Sequence, residues 1–266
     1  MPHLSTNLSF HVKEPAMPTS SPAPHSPSID AADLAKFERL GEDWWNLSGS
    51  MKALHKFNPV RIAYIRDHIC AHFGRDPRDP LPLSGLKILD IGCGGGILCE
   101  PMARLGADVT GIDPAPTNIV IATRHAAKSA LPVTYLATTA EDLSASGATF
   151  DVVLAMEVVE HVRQPQAFIK TACNLVGDKG LFFAATLNRT LKSFALAIVG
   201  AEYVLGWVPK GTHQWEKFLT PDELRGFIQA GGLSVCDEAG VTYAPLRDEW
   251  RQSHDRSVNY MMMGKR

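Results

Sequence analysis

The chain has 266 residues, 45% of them hydrophobic and 20% charged, enough apolar material to bury one full α/β core with a small addition. Its formal net charge of -2 leaves no basic footprint for a polynucleotide, so nucleic-acid substrates lose ground to small or lipid-borne ones. The five cysteines are scattered without C-x-x-C spacing, and no apolar run approaches about eighteen residues, which argues against a disulfide framework, a zinc site and a membrane-spanning helix.

Residues 1–28 repeat Pro and Ser and carry no arginine. They read as a disordered leader rather than an organelle transit peptide, and a bacterial cytoplasmic protein is expected. Order is expected from Ser28 or Asp30, either of which can cap a helix in which Leu34, Phe37 and Leu40 recur at helical spacing. The aromatic stretch with Trp44, Trp45, Leu47, Met51, Leu54 and Phe57 reads as a hydrophobic cover on the core. Asn58 and Pro59 predict a fresh helix start, a cap followed by proline at the first helical position, with Val60, Ile62, Ile65 and Ile69 as its buried stripe. Arg61 lies off that stripe, where a cation at a cofactor mouth can hold a carboxylate. A loop over 74–84, rich in Pro and Asp, ends this N-terminal helical cap of residues 29–84.

The apolar run 86–91 has strand length and breaks into Gly92, Gly94 and Gly96 before a helix to Leu105, which Pro101 should keep short or kinked. A bare-backbone turn from strand to helix makes a nucleotide-sized seat, because a side chain at Gly92 or Gly94 would keep a ligand off the main chain. A dinucleotide fingerprint wants its third glycine at position 97, which is Ile97, so a pyrophosphate cradle is disfavoured. The second apolar run, 109–112, ends at Asp113, a carboxylate placed to accept both hydroxyls of a ribose. A glycine turn and a ribose acid without the pyrophosphate spacing resemble the S-adenosylmethionine site of the class I methyltransferases. The alternation continues with a helix around 117–129, a strand at 133–137, a helix over 165–176 and a strand at 181–185, implying a parallel sheet with right-handed crossovers. Glu141 follows the third strand, where an acid either takes the adenine amino group or sits in a solvated turn.

The fourth strand, 152–156, ends at Met156 and leads into Glu157, Glu160 and His161, which share one face if the segment is helical. Ligands of open α/β sheets sit beyond the carboxyl ends of the strands, so these residues border the same crevice as Gly92 and Asp113. A phenolic hydroxyl is a poor nucleophile until deprotonated. Either a divalent cation held by this face lowers the hydroxyl pKa, or His161 alone is the base with a glutamate orienting it. The plain alternative is an acidic first turn favoured by the helix dipole, with His161 exposed. Segment 191–208 is apolar and aromatic but interrupted by Lys192 and Glu202, and is flanked by Arg189 and Lys210. It reads as a membrane-interface or substrate-covering lid, or as a buried core helix. Thr220 and Pro221 cap a helix that stops at Gly231 and Gly232, and strands at 233–238 and 257–263 close the sheet as an antiparallel pair.

Taken together, Trp44 and Trp45, the segment from Leu54 to Arg61, the glycine loop 90–98, Glu157 with Glu160 and His161, and the stretches 186–189, 200–203, 208–213 and 258–261 resemble the ubiquinone-biosynthesis O-methyltransferase family. The likeness spans nearly everything from Phe37 to Met262 and departs at 114–117, just after the ribose acid. It implies a Rossmann-like class I methyltransferase fold, with a seven-stranded mostly parallel sheet, helices on both faces and an N-terminal helical lid. Residues 85–266 would then be the S-adenosylmethionine-binding core, with a substrate or membrane lid at 189–213. The family's cofactor contacts map to Arg61, Gly92, Asp113 and Met156, to which the reading above adds Gly94 and Glu141. Catalysis would fall to His161, Glu160 and Glu157, the same three being the candidate ligands of a divalent cation such as Mg. The implied acceptors are polyprenylated phenols and quinols methylated at two stages, and the implied neighbours are the inner membrane surface and other ubiquinone-biosynthesis enzymes. Competing expectations are a methyltransferase of a soluble metabolite or carrier-bound acyl carboxylate, and a scaffold without turnover.

Overall fold

Strict alternation of apolar side chains organises the sheet of the computed structural model, which describes residues 28–195 and 214–266. The leader, and all but the first residues of the apolar segment 191–208, lie outside the described residues. Strands β1 (Lys87–Ile91), β2 (Asp108–Asp113), β3 (Val133–Ala137), β4 (Phe150–Met156) and β5 (Val176–Leu187) are parallel, in the spatial order β3-β2-β1-β4-β5. Beyond β5 the order continues β8-β6-β7, with β6 (Ser234–Ala244), β7 (Glu249–Ser253) and β8 (Asn259–Lys265) joined by antiparallel ladders. Among the described residues the sheet thus has eight strands instead of the expected seven. The additional one, β7, is an edge strand of sequence EWRQS with only Trp250 and Ser253 partly covered, so it carries no hydrophobic alternation by which to be read.

Ile88, Val109, Val152, Leu154, Phe183 and Met261 face one layer, where they meet Ile65 and Ile69 of α2 (Lys52–Phe73) and Met102 of α3 (Cys99–Arg104). Leu89, Val153, Ala155, Phe182 and Met262 face the other, against α6 (Pro165–Asn174) and α8 (Pro221–Ala230). Between these, α4 (Pro116–Lys128) follows β2, α5 (Ala140–Ala145) follows β3, and a single helical turn, α7 (Leu191–Ser193), follows β5. The six-residue α3 places Pro101 in its first turn, where a missing N–H costs nothing, so this helix is short as expected. Residues 177–180, between the expected helix and strand, form a bulge within β5, between the pairs Phe150↔Val176 and Val152↔Leu181.

The N-terminal cap differs from expectation in two respects. Asn58 and Pro59 do not start a helix; they lie inside α2, because Asn58 donates its amide to the Ile97 carbonyl at 3.0 Å and so braces α2 against the glycine loop. In α1 (Ala31–Glu38), capped by Asp30, the residue buried on the inner side is Asp33, not an apolar one. Ile29 forms an antiparallel bridge with Val162, and Arg163 donates its N–H to the Ser28 carbonyl, which seats the start of α1 beside the end of β4.

The fully buried Tyr260 on β8 donates its hydroxyl to the Leu219 carbonyl at 3.0 Å, tying the antiparallel half of the sheet to the entry of α8. Replacing Tyr260 with Phe strands that carbonyl and is expected to cost about 1 kcal/mol. Urea unfolding of Y260F should show a lower midpoint at unchanged slope.

Candidate active site

The turn after β1 is held from below by β2: Gly92 and Cys93 donate their N–H groups to the Ile112 carbonyl at 2.8 and 3.0 Å, and Gly94 donates to Asp113 Oδ2 at 3.0 Å. Gly92, Gly94 and Gly96 all have positive φ, at 70°, 52° and 86°. The space beside them is filled by the protein itself. A Cβ at Gly92 would lie 2.7 Å from Val158, one at Gly94 2.4 Å from the Trp44 ring, and one at Gly96 2.3 Å from the Tyr135 hydroxyl. In this structure the nearest neighbour of Gly94 on that side is an indole of the cap. Trp44 covers Gly94, donating Nε1 to Asn118 Oδ1 at 3.0 Å, while Trp45 donates to the Gly95 carbonyl at 2.8 Å and stacks on His125.

Asp113 ends β2 with its carboxylate buried: Oδ1 accepts from the Ala115 N–H at 2.9 Å and from Asn118 Nδ2 at 3.1 Å. Burial raises its pKa, against the lowering effect of these bonds. Next to it on β1, Asp90 accepts from the Cys99 thiol at 3.2 Å, and burial pushes its carboxyl up to about 7.

A cavity of about 640 Å³ opens over the carboxyl ends of β1, β2 and β4 and runs across the sheet to β6 and β7. Its volume is that of a ligand site. Gly92, Asp113, Met156 and Arg61 line it, as do Glu157, Glu160 and His161; Gly94 and Glu141 do not. Glu141 sits half-buried in the first turn of α5, after the strand paired with β2. Arg61, on α2, is only 3% exposed, and its guanidinium lies 4.8 Å over the Phe57 ring with Nε lacking any partner. A buried, incompletely paired guanidinium at the cavity wall fits the carboxylate of an amino-acid-bearing cofactor.

Glu157, Glu160 and His161 do not share a helical face. Glu157 takes a left-handed conformation, φ 58°, and only residues Val159–His161 form a turn of 3-10 helix. The Glu157 carboxyl is held well above the usual range, first by burial and then by the Glu160 charge, with Arg61 opposing. Its Oε1 lacks a partner, while Glu160, buried, accepts from the Thr186 hydroxyl at 2.9 Å. His161 is turned to Asp33 instead, Nδ1 to Oδ2 3.5 Å, with its ring edge-on to Phe37. The donor set therefore does not fit a divalent cation: the Glu160 carboxylate accepts from Thr186, the imidazole faces Asp33, and among the described residues no three His, Cys, Asp or Glu side chains form a metal-binding group. The carboxylate that faces His161 is Asp33 rather than a glutamate. Sequence reasoning missed this carboxylate, although its position four residues before Phe37 places it on the inward stripe of α1.

Phe57, Val241, Tyr243, Trp250 and Val258 also wall the cavity. The ring of Trp250 lies 5.2 Å from that of Phe57 and 5.3 Å from that of Tyr243. The third antiparallel pair, β6 and β7, thus supplies an aromatic wall that no motif announced.

A family model described as a methyltransferase domain matches residues 61–238. The chain is 62% identical over 240 residues to the ubiquinone biosynthesis O-methyltransferase of Methylobacterium nodulans, covering 90% of this chain and 96% of that protein. It is 55% identical to the protein of the same name from Brucella anthropi, again over 90% of this chain and 96% of the relative. Among solved structures, magnesium protoporphyrin IX methyltransferase from Synechocystis with bound SAM superposes with a TM-score of 0.59 at 15% identity, over 91% of this chain and 99% of that one, a likeness of fold.

The raised pKa of Asp90 has a consequence for stability. The carboxyl ionises near pH 4 in the unfolded chain but near 7 in the folded one, so between those values the folded state binds the extra proton and stability falls as pH rises; above about 7 this contribution is level. Asp90→Asn removes the titration. Its Tm, followed by differential scanning fluorimetry from pH 5 to 8, should decline less steeply than that of the wild type.

Proposed function

The chain belongs to the ubiquinone biosynthesis O-methyltransferase family and is an S-adenosylmethionine-dependent O-methyltransferase of that pathway, and on this premise we propose how its cavity divides the work between donor and acceptor. The acceptors are the polyprenylated catechol intermediates: 2-polyprenyl-6-hydroxyphenol, giving 2-methoxy-6-polyprenylphenol, and 3-demethylubiquinol, giving ubiquinol. The observation that carries this reading is that one cavity is lined by Gly92, Asp113 and Met156, by the apolar side chains of Phe57, Tyr243 and Trp250, and by His161.

S-adenosylmethionine, when bound, supplies an activated methyl group on sulfur. Arg61, with its unpartnered Nε, holds the methionine carboxylate; Asp113 and the Gly92 backbone take the ribose end, and Met156 packs beside the donor. Glu141, one turn beyond β3, remains the candidate for the adenine amino group. The Glu157 and Glu160 carboxyls stand near the buried Arg61 and offset its charge in the cavity wall. His161 takes the proton of the acceptor hydroxyl on Nε2, since its Nδ1 faces Asp33. Trp250 and Tyr243 receive the ring and the first isoprene carbons.

Among the described residues no helix is long and apolar enough to cross a membrane. The lid at 189–213 is the proposed contact with the inner membrane surface, where a prenylated acceptor resides and where other enzymes of the pathway would meet it. The exposed Leu191 and Phe194 at its start support this.

A labelled methyl-transfer assay on a short-tailed prenyl catechol, with and without chelator, tests the reading. Label should enter the acceptor equally in both conditions; no label in either sinks the assignment, and label passing only to a soluble carboxylate favours a different acceptor class. Arg61→Met is expected to weaken S-adenosylmethionine binding about 10- to 100-fold by calorimetry. Trp250→Ala should raise the KM for the prenyl catechol about tenfold while leaving cofactor affinity intact.

A further inference from the structure

Asp33 is a carboxylate of the N-terminal cap that reaches the reaction cavity, buried at 3% exposure on the inner face of α1. Its Oδ1 accepts from Lys36 Nζ at 2.8 Å, and its Oδ2 accepts from Lys217 Nζ at 3.0 Å and lies 3.5 Å from His161 Nδ1. Lys217 belongs to the 3-10 turn Trp215–Lys217, which comes immediately after residues 196–213, and also donates to Asp30 Oδ2, the cap of α1, at 2.9 Å. One lysine therefore clamps two carboxylates of α1, and the second of these faces the imidazole. Burial alone would raise the Asp33 pKa; the bonds from His161, Lys36 and Lys217 outweigh it and hold the carboxyl well below its usual range. An anion beside Nδ1 keeps the proton on that nitrogen and leaves the lone pair on Nε2, the form a base needs.

We propose that Asp33 is a positioning residue for methyl transfer: steadied by Lys217, it holds His161 in the Nδ1–H tautomer and offsets the charge of the imidazolium formed when Nε2 takes the acceptor proton. The step balances without an oxidant or reductant. The acceptor O–H bond breaks with its electron pair left on oxygen and its proton on Nε2; that pair then forms the bond to the methyl carbon while the carbon–sulfur bond breaks with its pair on sulfur. The imidazolium returns its proton to water after turnover. This inference rests on the reading of His161 as the base, and its test separates the two.

The test is a double-mutant cycle in the full-length protein, with kcat and KM measured on a short-tailed prenyl catechol and S-adenosylmethionine affinity as the control for folding. His161→Ala should lower kcat by about 10²- to 10⁴-fold. Asp33→Asn should lower kcat about tenfold or more with KM changed less than about twofold, and Asp33→Glu should restore a substantial part of the loss. In the His161→Ala background, Asp33→Asn should have no further effect, since a residue that acts through the imidazole has nothing left to act on. Equal losses from Asp33→Asn in both backgrounds, or no loss in either, overturn the positioning role while leaving His161 as the base. Undiminished kcat in His161→Ala overturns the base reading and the inference together. Should Asp33→Asn fail to bind the cofactor, Lys217→Met replaces it in the same cycle, with a loss of a few-fold expected in the wild-type background only.

Discussion

The Asp113 carboxylate joins the parts from which the donor crevice is made. One oxygen takes the Gly94 N–H from the turn after β1, and the other takes the Ala115 N–H and the Asn118 amide from the start of α4. Asn118 passes the connection on to the Trp44 indole, and Trp44 lies against Gly94 and Gly95. Strand end, glycine turn, helix start and cap thus share one buried anion. The anion needs all of these donors, because an unpaired carboxylate at that depth would cost several kcal/mol. The positive φ angles at Gly92, Gly94 and Gly96 follow from the same constraint, as the chain must turn sharply and lie close to Val158, Trp44 and Tyr135.

A second balance of charge sits a few residues away. Arg61 is buried against Phe57, with Glu157, Asp90 and Glu160 as the nearby anions. Burial and mutual repulsion keep Asp90 and Glu157 protonated more readily than free carboxyls, so one cation does not face three full negative charges. Thr186 satisfies Glu160 from the end of β5, and the Cys99 thiol satisfies Asp90 from the start of α3. This part of the wall therefore offsets its one cation with carboxyls that ionise less readily than free ones, which suits a cofactor that brings a carboxylate of its own and a positively charged sulfur.

The aromatic wall of the cavity is built largely from the antiparallel half of the sheet. Inserting β8 between β5 and β6 carries β6 and β7 out past the parallel strands, and the aromatic side chains of the hairpin close over the cavity opposite α2. The cavity walls consequently come from different kinds of strand pairing, and His161, which also lines the cavity, faces Asp33.

The sequence by itself determined the alternating core, the glycine turn, the acid at the end of β2 and the family, since these are local: apolar period, backbone freedom at glycine, and residue types at fixed spacing. It also placed Glu157, Glu160 and His161 at the crevice. Tertiary structure decided what those residues do. A helical face at i, i+3 and i+4 was a conditional inference, and it fails because the chain leaves β4 through a left-handed Glu157 into a 3-10 turn. Pro59 was a helix start by local rule and a helix interior by packing, because Asn58 is drawn to Ile97 instead of capping. The partners that define the site, Asp33 with Lys217 for His161 and Trp44 for Gly94, are separated by 184, 128 and 50 positions along the chain. Contacts between such distant segments leave no periodicity to read, because long-range packing, not local propensity, brings them together.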